Sequence, residues 1–434
     1  MPFASSRLFL AHDCDIFSLD IILKILMDGL CHIDLHLRSE DELLLACAST
    51  TLGEGQYKTL RRLAGECKDW DYVLHAARCH GLAPLVSTNL DRAAGDIVPR
   101  EPLDLLRRRL RANGARNLIL TQELLSLVGK FGAAGIEVIP LKGPILAMTA
   151  YGNVALREFL DLDVLVPKQH FDRAGRLLVQ CGYQPPSNQT GKLGSTRIED
   201  QVGCDFVRKD GRVSVEMHWS FIQKWLGFEV DLDALWKTPE YVNIGGTHVR
   251  KLPTEIALLY LCAHGAKHQW SRLCWIVDVT QLLHTQPTID WDGLLKTAKR
   301  NGCRRTLFLG LRLAHTLLGA DIPQEVLTQM RHDDSADALA QGICRELFLF
   351  KTRVANHRGG WAKDWFYLRT KERWLHRFRY LRYLSRWLLL PSQRDKEWLP
   401  LPGYLGWLYI FLRPIRAACD VVRPRSRNGP CPPE

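Results

Sequence analysis

Two aspartates stand one residue apart in an otherwise apolar run, Leu-Asp-Leu-Asp-Val-Leu-Val, at residues 160–166. Its Val and Leu content predicts a β-strand over 161–166. Because side chains alternate along a strand, Asp161 and Asp163 share one face and lie about 7 Å apart. The opposite face, which we expect to lie in the core, carries Leu162, Val164 and Val166.

A third carboxylate follows on a predicted hairpin. Two alternating runs, 204–207 and 212–219, flank the turn Lys209-Asp210-Gly211, and Asp-Gly between such runs is a strong hairpin signal. In the second run Glu216 and His218 lie on the face opposite the apolar one. Pairing of the strands would bring Glu216 beside the two aspartates. The apolar face of that run carries Val213, Val215 and Met217.

Three converged carboxylates repel one another and lose hydration, which is costly unless a divalent cation compensates them. Oxygen ligands of this kind suit magnesium, whose coordination is completed by substrate phosphates. Two such ions about 4 Å apart can activate an attacking hydroxyl and neutralise a leaving pyrophosphate. The constellation therefore points to in-line nucleotidyl transfer. The alternative is a pair of solvated aspartates, or a pair bound to Arg157.

The surrounding sequence predicts the order β-α-β-α-β-β. A β-branched stretch at 136–139 is followed by the Lys142-Gly143-Pro144 break and a helix over 145–151, and a second helix starts at Phe171. The predicted fold class is α+β, with a small mixed sheet flanked by helical regions. The predicted regions are an uncertain segment 1–37, a helical region 38–131, the core 132–250, a helical region 251–355 and a basic, aromatic-rich region 356–434.

These elements resemble the DNA polymerase β-like nucleotidyltransferase superfamily. Its signature is a glycine turn, an alternating pair of acidic residues on a strand and one acidic residue on a later strand. A closer resemblance, over about 65–290, is to the bacterial family known only as uncharacterised nucleotidyltransferases. The motifs that carry it are Leu141-Lys142-Gly143, Tyr151-Gly152, Arg157, 161–166, Gly182-Tyr183, Glu216-Met217-His218-Trp219 and His264-x-x-x-His268 with Arg272, Trp275 and Asp278.

The resemblance implies that Asp161 and Asp163 bind two Mg²⁺ or Mn²⁺ ions and that Glu216 completes the site and assists deprotonation of the acceptor. It implies that Gly143 lets the backbone approach the triphosphate at the start of the next helix. The superfamily's turn is Gly-Ser or Gly-Gly, so here Lys142 is expected to make the missing phosphate contact. The residues expected to bind the nucleoside triphosphate or its unknown acceptor are Lys142, Gly143, Arg157, His218, His264 and His268.

His264 and His268 are four residues apart, which places them on one face of a helix. This is metal-ligand spacing, but the sequence offers no obvious third ligand. One interpretation of the two histidines is a zinc site. The alternatives are a hydrogen-bonding role between helices and a contact to substrate phosphate.

The positive charge lies in the carboxy-terminal fifth of the chain. Residues 351–434 hold 18 Lys and Arg against 6 Asp and Glu, whereas the net charge of the whole chain is +11. Aromatic residues and arginines alternate along 361–390. Such a segment can lie on an anionic membrane surface or bind nucleic-acid phosphates, here through 361–427, or it can pack as a helix on the catalytic unit.

The thirteen cysteines include no Cys-x-x-Cys pair, so we expect no disulfide framework. We also expect no signal peptide and no transmembrane segment. The expected location is the cytoplasm, or the periphery of the inner membrane. The altered glycine turn motivates one alternative to an enzyme, a scaffold that binds nucleotide without turnover. The basic region motivates another, a membrane or nucleic-acid adaptor.

Overall fold

The computed structural model describes residues 37–185, 202–223, 226–228, 230–286, 288–348, 361–389, 395, 398–412 and 415–416. The chain divides into two compact units, Met1–Glu372 and Arg373–Glu434. The predicted segment 1–37 lies outside the described residues except for Leu37. The region boundaries that we infer from the sequence remain predictions.

Among the described residues, five helices precede the sheet, and they form the helical amino-terminal flank of the predicted α+β fold. They are α1 Ser39–Ala46, α2 Glu54–Glu66, α3 Trp70–His80, α4 Ala83–Ala94 and α5 Arg100–Ala133. The last is 34 residues long. Its buried Leu120, Leu124, Leu127 and Phe131 recur every three or four residues, and this stripe faces the core of the sheet.

The central sheet is small and mixed, as predicted. Its strands are β1 Ile139–Pro140, β2 Leu162–Leu165, β3 Tyr183–Gln184, β4 Gly203–Arg208 and β5 Ser214–His218. The spatial order is β1-β2-β5-β4-β3, in which β2 and β5 are parallel and the other neighbours are antiparallel. The α-helices described between these strands are α6 Pro144–Thr149 and α7 Phe171–Gln180.

One face of the sheet packs against α5 and α7. The predicted apolar positions Leu162, Val164 and Val166 lie in this core, and so do those of the hairpin strand, Val213, Val215 and Met217. Because strand side chains alternate, the acidic residues between them emerge on the other face. Burial of one face therefore determines where the carboxylates point.

The structure adds strands that the sequence pattern did not reveal. Strand β3 has only two residues, too few for a visible alternation. A second, two-stranded sheet pairs β6 Glu240–Ile244 with β7 Thr247–Lys251 through Gly245-Gly246. The predicted hairpin turn is observed, with Gly211 at φ 72° and its N–H donating to the carbonyl of Arg208 over 2.8 Å.

The remaining regular secondary structure of the described chain is helical. The first unit continues with α8 Leu232–Lys237, α9 Thr254–Lys267, α10 Leu273–Thr285, α11 Trp291–Asn301, α12 Arg304–Leu318, α13 Gln324–Arg331, α14 Asp334–Leu347 and α15 Trp361–Thr370. The second unit contains α16 Trp374–Leu389 and a 3₁₀ helix, Gly403–Leu408. Within the described residues, none of the helices combines the length and apolar character needed to cross a membrane.

Candidate active site

Asp163 lies directly opposite Glu216 in the parallel pairing of β2 with β5. Neighbouring strands are about 4.8 Å apart, so two residues in register on one face bring their carboxylates together. Asp161 stands just before β2, on the same side. The structure thus brings together the three carboxylates singled out in the sequence.

The three carboxylates differ in exposure. The Asp163 side chain is 2% exposed, whereas those of Glu216 and Asp161 are 32% and 40% exposed. Asp163 therefore forms the floor of the site, and Glu216 and Asp161 form its open edge.

The ammonium of Lys142 lies between the two aspartates. Its Nζ is 2.6 Å from Asp163 Oδ2 and 3.8 Å from Asp161 Oδ1. The Lys142 side chain is itself largely enclosed, and this enclosure makes the ion pair less screened than a surface pair. A lysine predicted to contact phosphate thus points, in the structure, at the aspartates.

His218 approaches the other side of Asp163. Its Nε2 is 3.4 Å from Asp163 Oδ1 and 3.4 Å from Glu216 Oε1. Ligand atoms of Asp163, Glu216 and His218 all lie within 4.8 Å of one another, and among the described residues this is the one group of three that could hold a metal ion. The two oxygens of Asp163 therefore face two different cationic or metal-binding positions.

Burial and neighbouring charges lower the pKa of Asp163 and raise the pKa values of Lys142 and Asp161. Burial alone would raise the pKa of Asp163, but Lys142 and then His218 outweigh it and hold that pKa well below its ordinary value. Burial alone would lower the pKa of Lys142, but the charges of Asp163 and Asp161 raise it. Burial and the charge of Asp163 raise the pKa of Asp161. The Lys142–Asp163 contact is thus an ionised pair.

His218 and Glu216 form a second coupled pair. The hydrogen bond from His218 lowers the pKa of Glu216. Although burial opposes it, hydrogen bonding to Asp163 and Glu216 raises the pKa of His218 to about 9. Lys142 and protonated His218 thus compensate the acidic floor, and ligation of a metal ion by His218 Nε2 would require the loss of its proton.

Asp205 is a carboxylate of the site that our reading of the sequence missed. It lies opposite Glu216 in the antiparallel β4–β5 pair, so that Asp163, Glu216 and Asp205 form one row across three strands. Burial and then the charge of Glu216 raise the pKa of Asp205. A two-residue turn at Asp210-Gly211 would place Asp205 opposite Glu216, which is the signal that could have identified it.

The Lys-Gly-Pro turn has a backbone that requires glycine. Gly143 has φ 64° and ψ −127°, a conformation that L-residues with a side chain rarely adopt. The N–H of Leu141 donates to the carbonyl of Asp163 over 3.0 Å, which ties the turn to β2. Helix α6, only six residues long, begins directly after Gly143. The turn therefore holds Lys142 in a defined place.

Arg157 lies in a buried network. Its Nε and one terminal nitrogen donate to the two oxygens of Asp278, each over 2.7 Å, and the hydroxyl of Tyr151 donates to the same carboxylate over 2.6 Å. From α5, Asn117 donates to the carbonyl of Arg157 over 2.7 Å. Two of the three guanidinium nitrogens are thus engaged with Asp278, and substrate binding by Arg157 remains a prediction.

His268 stacks on Trp275, and His264 meets the same ring edge-on. The ring centroids of the two histidines are 4.8 Å apart, and the His268 ring lies 4.9 Å from that of Trp275. Desolvation, then Lys267 and Lys142, lower the pKa of His268 to about 4, and desolvation lowers that of His264 well below its ordinary value. Within the described part of the chain, neither histidine belongs to a three-ligand cluster. Their environment favours neutral rings packed between helices.

The donor set fits a divalent cation. Two carboxylates and one imidazole lie at a spacing that one ion can span, and Asp163 Oδ1 and His218 Nε2 are buried against each other without another side chain between them. Carboxylate ligands suit Mg²⁺ and Mn²⁺, and an added imidazole nitrogen favours a first-row transition ion such as Mn²⁺. The site can thus hold a metal ion beside the Lys142 ammonium.

A family model described as "Uncharacterised nucleotidyltransferase" matches residues 66–319. The match spans more than half of the chain and includes the turn, the central sheet and helices α9 to α12. No curated protein and no solved structure matches the chain.

Proposed function

The chain belongs to the family of uncharacterised nucleotidyltransferases, and on this premise we propose that it transfers a nucleoside monophosphate from a nucleoside triphosphate to an acceptor hydroxyl with the help of a divalent cation. One observation carries the proposal beyond family membership. Asp163 and Glu216 are register partners on adjacent strands, with His218 Nε2 3.4 Å from both. Such a row can hold a metal ion next to a reacting phosphate.

The proposed step is an in-line displacement. The acceptor oxygen forms a bond to the α-phosphorus, the bond from that phosphorus to the bridging oxygen breaks, and pyrophosphate leaves with the electron pair. Glu216 receives the hydroxyl proton, because among the metal-capable side chains Asp163, Glu216 and His218 it is the one that reaches solvent. Asp163, buried and held ionised, keeps the floor negative throughout.

Asp163, Glu216 and His218 would hold the cation, which when bound supplies positive charge to the reacting phosphate. The triphosphate is proposed to lie beside Lys142 and Gly143, as the resemblance to the superfamily implies. The positive charge of Lys267, which influences Glu216 and Asp205, adds to the attraction for phosphate. Nucleotide binding and transfer to an acceptor hydroxyl are parts of this proposal, and the superfamily resemblance implies a pair of Mg²⁺ ions for it.

The test uses purified protein, each nucleoside triphosphate radiolabelled at the α-phosphate, Mg²⁺ or Mn²⁺, and a cell extract as the source of acceptors. We expect label to appear in a product with wild-type protein and with Asp172→Asn, an exposed control on α7. The variant with both Asp161→Asn and Asp163→Asn should give none. Equal labelling by that double variant would contradict the proposal.

A scaffold that binds nucleotide without turnover is the second candidate. It is favoured by the Lys142 ammonium, which already compensates Asp161 and Asp163 without a metal ion. Calorimetry separates the two candidates. A scaffold should bind the triphosphate with unchanged affinity when both aspartates are replaced by asparagine, and a metal-dependent enzyme should not.

We further propose that α16 in the second unit lies on an anionic membrane surface. Its Trp374, Phe378 and Leu381 follow helical spacing, and their side chains are 77%, 57% and 50% exposed. Exposed Arg377 and Arg382 stand on the same helix. Apolar side chains flanked by arginines suit a membrane interface. Residues 356–360, 390–394, 396–397, 413–414 and 417–434 of the predicted basic region lie outside the described residues.

A further inference from the structure

We propose that this site works with one divalent ion instead of two, because the ammonium of Lys142 permanently occupies the second cation position. The inference rests on the proposed nucleotidyl transfer and concerns which cations compensate the carboxylates of that site. The divalent ion takes the position bounded by Asp163, Glu216 and His218, and Lys142 takes the position bounded by Asp161 and Asp163.

The distances make the ammonium and a second ion mutually exclusive. A magnesium ion bound to Asp163 Oδ2 would lie about 2.1 Å from that oxygen. Lys142 Nζ lies 2.6 Å from the same oxygen and 3.8 Å from Asp161 Oδ1. An ion shared by Asp161 and Asp163 would therefore have to enter the volume that the ammonium fills.

The lysine is held in place by its backbone as well as by its charge. On one side, the N–H of Leu141 donates to the carbonyl of Asp163 over 3.0 Å. On the other side, Gly143 adopts the φ 64° conformation that starts α6. Only 13% of the Lys142 side chain is exposed. A short tether to β2 and an enclosed side chain keep the ammonium beside the aspartates, so we infer a resident cation and not a mobile one.

Asp163 is the carboxylate that joins the two positions. Its Oδ2 faces Lys142, and its Oδ1 faces His218 Nε2, 3.4 Å away. In a two-ion site such a carboxylate would face two metal ions, whereas here it faces the ammonium of Lys142 and the position where one ion would be held. Asp161 then orients Lys142 and does not bind metal, which agrees with its absence, among the described residues, from the cluster of metal-capable side chains.

The experiment counts bound ions. Mn²⁺ is titrated into the full chain with a nucleoside triphosphate analogue whose α,β-bridge is an imido group, and free Mn²⁺ is measured by electron paramagnetic resonance, with analogue alone as the reference. Wild type should bind one Mn²⁺ per chain, and Lys142→Met should bind two. The control Lys209→Met, on the exposed hairpin turn, should bind one.

A second readout locates the ion and does not depend on the Lys142 variant folding. Nitrogen modulation of the Mn²⁺ electron spin echo should be present in wild type and lost in His218→Gln. Three results would each overturn the inference while leaving nucleotidyl transfer possible. They are two bound ions in wild type, one bound ion in a folded Lys142→Met variant, and no nitrogen signal in wild type. Failure of wild type to bind either Mn²⁺ or the analogue would overturn the proposed function together with the inference.

Discussion

Arg157 and Asp278 form a buried ion pair with two hydrogen bonds of 2.7 Å, between residues 121 positions apart. The pair connects the segment that leads to Asp161 with helix α10. Tyr151 donates to the same carboxylate over 2.6 Å. The position of the acidic strand thus depends on a contact with the helical region beyond the sheet.

Replacing Arg157 with Met should destabilise the protein by about 3–5 kcal/mol, because it leaves the Asp278 carboxylate buried without a counter-charge. The double variant Arg157→Met with Asp278→Leu should recover part of this loss. Urea unfolding of the four members of this cycle gives the coupling energy. Arg61→Met is the control, since its pair with Asp96 is exposed and should cost less than about 1 kcal/mol. Additive effects of the two buried substitutions would contradict the expected coupling.

Asp163→Asn and Asp161→Asn should differ in their effects on metal affinity. Asp163 faces both cation positions, so Asp163→Asn should abolish Mn²⁺ binding and reduce transfer by about 10³-fold, the equivalent of several kcal/mol of charge stabilisation. Asp161→Asn should leave Mn²⁺ affinity within about tenfold of wild type. Calorimetric titration with Mn²⁺ makes the comparison. Equal loss of affinity in both variants would show that Asp161 is a metal ligand.

Asp205→Asn should stabilise the protein in the absence of metal and weaken metal binding. Its carboxylate stands opposite that of Glu216, and like charges directly opposite on neighbouring strands destabilise a sheet by about 0.2–1 kcal/mol. A scanning fluorimetry melt without metal should therefore shift upward, and the Kd for Mn²⁺ should rise several-fold. Asp172→Asn, exposed on α7, should change neither quantity. A lower melting temperature would indicate that Asp205 has a stabilising partner.

Lys371 should make the free energy of unfolding depend on pH between about pH 7 and pH 10.5. Burial lowers its pKa from 10.5 to about 7, so between these values the unfolded chain binds a proton that the folded chain does not. Stability then falls as the pH falls from 10.5 to 7, by at most about 1.4 kcal/mol per unit, and levels off below pH 7. The gain in Tm of Lys371→Met over wild type should therefore be largest at pH 7 and shrink towards pH 10.

The slope with pH is the informative quantity, because Lys371 Nζ also donates to the carbonyl of Leu226 over 2.8 Å and its loss costs about 1 kcal/mol at every pH. Lys296→Met, exposed on α11, serves as the reference. A difference in Tm that is constant from pH 7 to pH 10 would show that Lys371 stays protonated in the fold.

The proposed membrane contact of α16 predicts binding of the full chain to vesicles that contain phosphatidylserine and not to neutral vesicles. Trp374→Ser with Phe378→Ser should lower vesicle binding at least tenfold, since two large exposed side chains lose their contact with the interface. Leu118→Ser with Ile119→Ser, exposed on α5, is the matched control. Co-sedimentation at two salt concentrations makes the measurement. Binding to nucleic acid but not to vesicles would refute the proposal and favour the nucleic-acid adaptor.

The local part of the site could be predicted from the sequence. Alternation along 161–166 and 212–219 places the acidic residues on one face, and the Asp-Gly turn sets the hairpin register, because both depend on residues near in sequence. A two-residue turn at Asp210-Gly211 would already have paired Asp205 with Glu216, and we overlooked that pairing. The two-residue strands β1 and β3 are too short for any periodic pattern to specify their limits.

The sequence by itself determined the α+β class, the acidic face and the glycine turn, since each follows from the short-range preferences of the backbone. Only the tertiary structure decided that β2 pairs with β5 in parallel, that Asp278 neutralises Arg157, and that Lys142 points at Asp163. Residues far apart in the chain meet through packing of the whole unit, and no local pattern encodes which partner a buried charge will find. The position of the Lys142 ammonium beside the aspartates was therefore visible only in the fold.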